Sequence, residues 1–246
     1  MEPQPIPERW PALISDRAII FLGLAFMFLP ELIVVLLTVV GIIQSPTVPG
    51  DPFTGISDAA FIALKNLAVL EIMIRVKQRS DIPNHAIGTL MPSSPRWFLS
   101  AIVAYFALNL LTNLLARLMQ SPQSEELKDV SRSLLSHDSN FLALTITFLA
   151  IVVITPIVEE ILFRGFIYGW LRQRFSMDVA IVISSLAFAI AHFQYLGLDS
   201  QSLMMAMFYL CGLGFFAARL REKSGSIYPP IVLHSFSNLI VFWNLY

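Results

Sequence analysis

The chain has 246 residues, 56% of them hydrophobic and only 13% charged, with a formal net charge of −1. Soluble domains usually carry about 25% charged residues; a single water-solvated core of this length cannot bury so much apolar surface, so lipid is the expected solvent. The near-neutral balance excludes the basic patch that nucleic-acid binding needs, and the lone cysteine, Cys211, excludes an internal disulfide and a cysteine-built zinc site.

Residues 1–17 are proline-rich, carry three acidic and two basic side chains and lack the basic start of a secretory signal. They are predicted to be a cytoplasmic tail. Apolar runs then predict an all-α, polytopic transmembrane bundle of about seven spans. The runs are Ala18–Ile43, Ala59–Ile74, Trp97–Leu118, Phe141–Trp170, Val179–Phe193, Ser202–Ala218 and Tyr228–Tyr246. Pro30 and Glu31 predict a kink in the first. The second is short and carries Lys65 and Glu71, which suits a tilted, interfacial or bundle-buried segment. Loops are predicted at 45–52, at 91–95 and along the polar run 121–140, from their Pro, Ser and charge content. The chain divides into the tail, an N-terminal helical part at 18–139 and a C-terminal part at 140–246.

Basic residues orient these spans. Arg9 and Arg17 precede the first; Arg75, Lys77, Arg79 and Arg96 separate the second and third; Arg172 and Arg174 end the fourth; Arg219, Arg221 and Lys223 precede the seventh. The alternate connections hold only Arg117, Lys128 and Arg132, diluted by Glu125, Glu126 and Asp129. By the positive-inside rule the N-terminus is cytoplasmic and the C-terminus outside.

Ionisable groups at membrane depth cost about 2.5–3.5 kcal/mol by insertion scales, which makes them candidates for function. Three clusters qualify. In TPIVEEILFRG (155–165), Glu160 and Arg164 are four apart and can pair across one turn. Glu159 points about 100° away from Glu160 on the same helix and is left free for a cavity. In LAFAIAHF (186–193), Phe188 lies one turn before His192 and can stack on its ring. In LHSFSNLI (233–240), His234 and Asn238 share one helix face. Singly, these read as an interfacial salt bridge, a packing histidine and an interhelical hydrogen bond. Together they are the inventory of a water-activating hydrolytic site: a carboxylate base, imidazoles to orient water or shuttle protons, and donors for an oxyanion. One tension remains in depth. Measured from the cytoplasmic ends of their spans, His234 lies about 9 Å deep and His192 about 20 Å, and Glu159 also lies about 20 Å deep if the fourth span runs on to Arg172.

Glu159-Glu160-x-x-x-Arg164, Phe188-x-x-x-His192 and His234-x-x-x-Asn238 resemble, in order, the three signature motifs of the CPBP family. These are the CAAX proteases and bacteriocin-processing (Abi) proteins, related to type II CAAX prenyl endopeptidases. The resemblance covers residues 140–246. It implies an intramembrane endopeptidase of multi-pass topology, in a bacterial inner membrane or a plastid membrane, acting on a peptide or protein that is membrane-anchored or prenylated. Glu159 would activate water with help from His192, His234 and Asn238 would stabilise the oxyanion, and Glu160 and Arg164 would support or orient. Glu159, His192 and His234 could in principle hold zinc. The absence of HExxH and the asparagine in the fourth place favour a mechanism without cofactor. Rival readings are a non-enzymatic scaffold or immunity-type binding protein, and a transporter using Glu159 and His192 as a proton relay; no repeat symmetry supports the latter.

Overall fold

The computed structural model describes residues 54–119, 141–192 and 200–245, with a few isolated positions between 14 and 23. The first candidate span apart from residues 19 and 21–23, the loop at 45–52 and the polar run at 121–140 lie outside the described residues. Every regular element among those described is helical. In chain order they are α1 (Thr54–Arg79), the single turn α2 (Asn84–Ile87), α3 (Arg96–Leu118), α4, α5 (Met177–Ile190), α6 (Ser200–Ser224) and α7 (Tyr228–Leu245). The fourth, α4, is one continuous run in five pieces: α-helical Phe141–Phe148, a π-helical stretch Leu149–Ile154, α-helical Thr155–Glu160, a second π-helical stretch Ile161–Ile167, and α-helical Tyr168–Arg172.

Among the described residues three helices are long and apolar enough to cross a bilayer, Arg96–Leu118, Leu144–Arg172 and Ser200–Ser224, and Met177–Ile190 is a shorter apolar helix. Their surroundings differ. Half of the apolar window of α4 (50%) is buried inside the protein, against 22% for α3, so α4 is the central helix and α3 an outer one. Leu99, Val103, Phe106, Leu110, Leu114 and Leu118 stand exposed on α3 at steps of three and four residues, one continuous apolar face. On the inward face Ala101, Ala104, Tyr105 and Leu108 are buried. An exposed apolar stripe of this length is at home in lipid and not in water. The chain is a membrane protein. The second predicted span lies within α1, which is not among the three, and its Glu71 and Arg75 form an exposed i,i+4 pair.

Around α4, α1 packs against its first half, α7 against its middle and α5 against its end, while α6 lies against α3, α5 and α7. Proline explains the first π stretch. The Thr155 N–H reaches back five residues to the Ala150 carbonyl, and Pro156, which would continue the pattern onto Ile151, has no N–H to give. Non-ideal backbone at membrane depth is tolerated only where protein covers it, and the buried Ala150, Val152, Pro156 and Val158 meet that condition.

Close approach of α5 and α6 depends on Gly214. A Cβ there would fall 2.9 Å from the Ser185 Cα, and backbone cannot yield. At Gly212 the added atom meets the far end of the Leu108 side chain instead, which can turn aside. Gly214→Ala is therefore expected to cost about 1–3 kcal/mol by overpacking, and Gly212→Ala clearly less. Thermal unfolding of the two variants in detergent checks the order.

Candidate active site

The short α-helical piece of α4 between the two π stretches carries the adjacent carboxylates, and both are buried. Glu160 is fully enclosed. Its Oε1 receives Arg164 Nη1 at 3.0 Å and lies 3.0 Å from His234 Nδ1. Arg164 is also fully buried, and its guanidinium carbon lies 4.4 Å from the centre of the Phe188 ring, a cation–π contact made where no water competes. A carboxylate only accepts, so His234 donates from Nδ1 and, when neutral, turns a lone pair outward at Nε2.

Glu159 is placed differently. Its Oε2 is buried without a hydrogen-bond partner. It lies 3.8 Å from His192 Nε2 and 3.9 Å from His234 Nε2, beyond direct hydrogen-bonding reach. His192 Nδ1 sits 2.8 Å from the Phe188 carbonyl. A carbonyl has only lone pairs to offer, so that nitrogen carries the proton and neutral His192 likewise presents a lone pair at Nε2. One unpaired carboxylate oxygen thus faces two imidazole nitrogens. The ring of Phe188 joins the parts, with its centroid 4.6 Å from that of His192, 5.5 Å from His234 and 5.2 Å from Phe163.

The structure brings Glu159, Glu160, Arg164, Phe188, His192 and His234 together. Asn238 is differently engaged. Its Nδ2 donates to the Ile151 carbonyl at 3.0 Å, the carbonyl that Pro156 cannot serve. One amide hydrogen therefore holds α4, and the other is left for a second acceptor. The distances from His234 to Glu160 and Glu159 put these groups at one level of the bundle. Ser226 and Ile227 are buried, and the Ile227 N–H bonds the Gly88 carbonyl at 2.9 Å, which ties the head of α7 to the turn at α2.

Two features escape the motifs. Asn66 on α1 is buried and donates to the Thr155 hydroxyl at 2.8 Å, one turn before Glu159, so the N-terminal helices also position the site. Arg172 and Arg221, which served above as loop charges for orientation, are buried as well. Arg172 makes two 3.1 Å bonds to Glu222, whose Oε2 also receives the Tyr168 hydroxyl at 2.7 Å. A charged pair, Arg221-Glu222, at the end of an apolar run was the available sign. Among the described residues, no group of three or more His, Cys, Asp or Glu side chains is arranged to hold a metal ion. No step below is routed through a metal.

Fold and site define a helical membrane protein whose central helix carries a buried carboxylate–imidazole centre. Residues 141–240 match the family described as type II CAAX prenyl endopeptidase Rce1-like, a stretch that contains every motif residue from Glu159 to Asn238. An Escherichia coli relative, described as an uncharacterized 24.3 kDa protein, is 32% identical over 171 residues, covering 68% of this chain and 72% of the relative. No solved structure matches. The chain belongs to the type II CAAX prenyl endopeptidase Rce1-like family, a family of membrane proteases.

Unequal partnering makes the two carboxylates unequal in stability. Removing one member of a fully buried pair costs about 3–5 kcal/mol, so Arg164→Ala is expected to unfold the bundle or lower its thermal midpoint sharply. Glu159→Gln removes no partner and is expected to leave the midpoint unchanged or raised. Circular dichroism melts of both in the same detergent provide the comparison.

Proposed function

We propose that this chain is an intramembrane endopeptidase in which Glu159 activates water for attack on a peptide bond. The observation that carries the proposal is the buried, unpartnered Glu159 Oε2 facing the Nε2 atoms of His192 and His234 at 3.8 and 3.9 Å. Each of those gaps is one that a single water bridges with two hydrogen bonds of ordinary length. A water donating one hydrogen to Glu159 and the other to His192 turns its own lone pair outward, toward a substrate carbonyl.

Attack forms the carbon–oxygen bond as Glu159 takes the proton. The carbonyl oxygen becomes an oxyanion; Asn238 donates its remaining amide hydrogen to it, and His234, having taken a second proton at Nε2 from solvent before the attack, donates from that nitrogen. Breaking the carbon–nitrogen bond returns the proton from Glu159 to the leaving amine. Glu160 and Arg164 hold His234 at Nδ1 and take no part in proton transfer. The mechanism requires no metal.

The substrate is a peptide or protein, with a prenylated C-terminal CAAX peptide the first candidate by family. The topology that suits the charge pattern is seven spans with a cytoplasmic N-terminus, in a bacterial inner membrane or a plastid membrane. Within it 140–246 is the peptidase unit, and 18–139 supplies outer helices and the Asn66 contact.

Purified protein incubated with a diverse peptide library, farnesylated CAAX peptides included, provides the test. Cleavage is expected to survive a zinc chelator and to fall roughly 100- to 10,000-fold in Glu159→Ala. Cleavage abolished by chelator and restored by zinc would overturn the mechanism. Folded protein that binds peptides and cleaves none would overturn the enzyme in favour of a scaffold.

A further inference from the structure

The second π stretch of α4, Ile161–Ile167, directly follows the two carboxylates and includes Arg164. Its backbone bonds are shifted: the Tyr168 N–H reaches back five residues to the Phe163 carbonyl. Side chains from other helices attend the same stretch. Ser184 on α5 donates to the Phe163 carbonyl at 3.3 Å, and Arg221 on α6 donates from Nε to the Arg164 carbonyl at 3.3 Å.

Arg221 also reaches the turn at α2. Its Nη2 donates to the carbonyls of His85 and Ala86, both at 3.2 Å. With an exposure of 1%, it is a buried cation spent on backbone oxygens of two separate segments. The surrounding residues are cut to admit it. Gly88 ends α2 at φ +73°, and a Cβ there would lie 2.5 Å from the Arg221 guanidinium carbon and Nε. A Cβ on Gly165 would fall 3.2 Å from the Ile87 carbonyl oxygen. The neighbouring Glu222, gripped by Arg172 and Tyr168, fixes the end of α6 that presents the guanidinium.

On the other side of Arg164 the chain of contacts runs into the site: Arg164 to Glu160, and Glu160 to His234. We propose that Arg221 is a positioning residue, holding Arg164 by its backbone so that Glu160 and His234 are set in register with Glu159. The proposal rests on the peptidase reading for its kinetic consequence alone; the register it fixes exists whether or not the chain cleaves. Only a forked guanidinium serves both segments at once, since an ammonium is a single point of donation. Small misplacement at a reacting centre far outweighs its effect on binding.

Arg221→Lys keeps the charge and loses the fork, and the full-length variant is compared with wild type in detergent. On a peptide that wild type cleaves, kcat is expected to fall roughly 10- to 100-fold with KM within about twofold and the thermal midpoint nearly unchanged. Nitrogen-labelled histidine gives a second readout that needs no turnover, because the chain has only 4 histidines. The His234 ring resonances are expected to shift in the variant. A lowered midpoint with kcat per folded molecule and His234 resonances unchanged would reduce Arg221 to a structural brace and overturn the proposal. If wild type cleaves nothing, the peptidase reading fails, and the His234 resonances alone decide: shifted supports the clamp, unshifted overturns it. Should Arg221→Lys not fold, Gly88→Ala, whose added Cβ displaces the guanidinium without removing it, is expected to give the same His234 shift; an unshifted spectrum there overturns the proposal.

Discussion

Glu160 cannot be left alone. A carboxylate with no exposure in a low-dielectric interior has to be neutralised or held by donors, and here Arg164 and His234 both converge on its Oε1 at 3.0 Å. That pairing decides the chemistry next door. It spends one of two adjacent carboxylates on structure, fixes the tautomer of His234 and leaves Glu159 Oε2 without a hydrogen bond, 3.8 and 3.9 Å from the Nε2 atoms of His192 and His234. Phe188 completes the enclosure by covering Arg164 on its ring face while its backbone carbonyl sets His192.

A regular α-helix would not present these groups so. The piece Thr155–Glu160 is α-helical between two π stretches, a deformation often found at functional sites. Side chains from elsewhere donate to carbonyls of the irregular stretches: Asn238 to Ile151, Ser184 to Phe163 and Arg221 to Arg164. The donors come from α7, α5 and α6. The π stretches of α4 therefore bind three helices to the site, and the energy lost in the helix is offset at the contacts between helices.

Much of this could be read from the residues. Composition led to helices in lipid, and four-residue spacing separated Glu160, paired with Arg164, from the free Glu159. Spacing could not say whether His192 and His234 meet, because that depends on how the helices are set against one another. The head of α7 is tied to the turn at Gly88 through the Ile227 N–H, a contact between segments far apart in sequence. Nor could the positive-inside count distinguish Arg172 and Arg221, both buried and hydrogen-bonded, from free cytoplasmic charges. The π stretches were equally hidden, and the consequence of Pro156 for the Ile151 carbonyl shows only against the neighbouring helix. Asn238 looked like an oxyanion donor by its face, and half of its donor capacity is in fact tied to the backbone of α4.

Direct attack by water on the substrate carbonyl, with Glu159 as base and not as nucleophile, is the claim on which the rest depends. A single turnover of a cleaved peptide in ¹⁸O-water, with hydroxylamine as competing nucleophile, tests it most directly. Direct attack places one ¹⁸O in every new carboxyl terminus and yields no hydroxamate. A product carrying only ¹⁶O, or a hydroxamate, would mean that Glu159 forms a covalent anhydride with the substrate and would contradict the assignment.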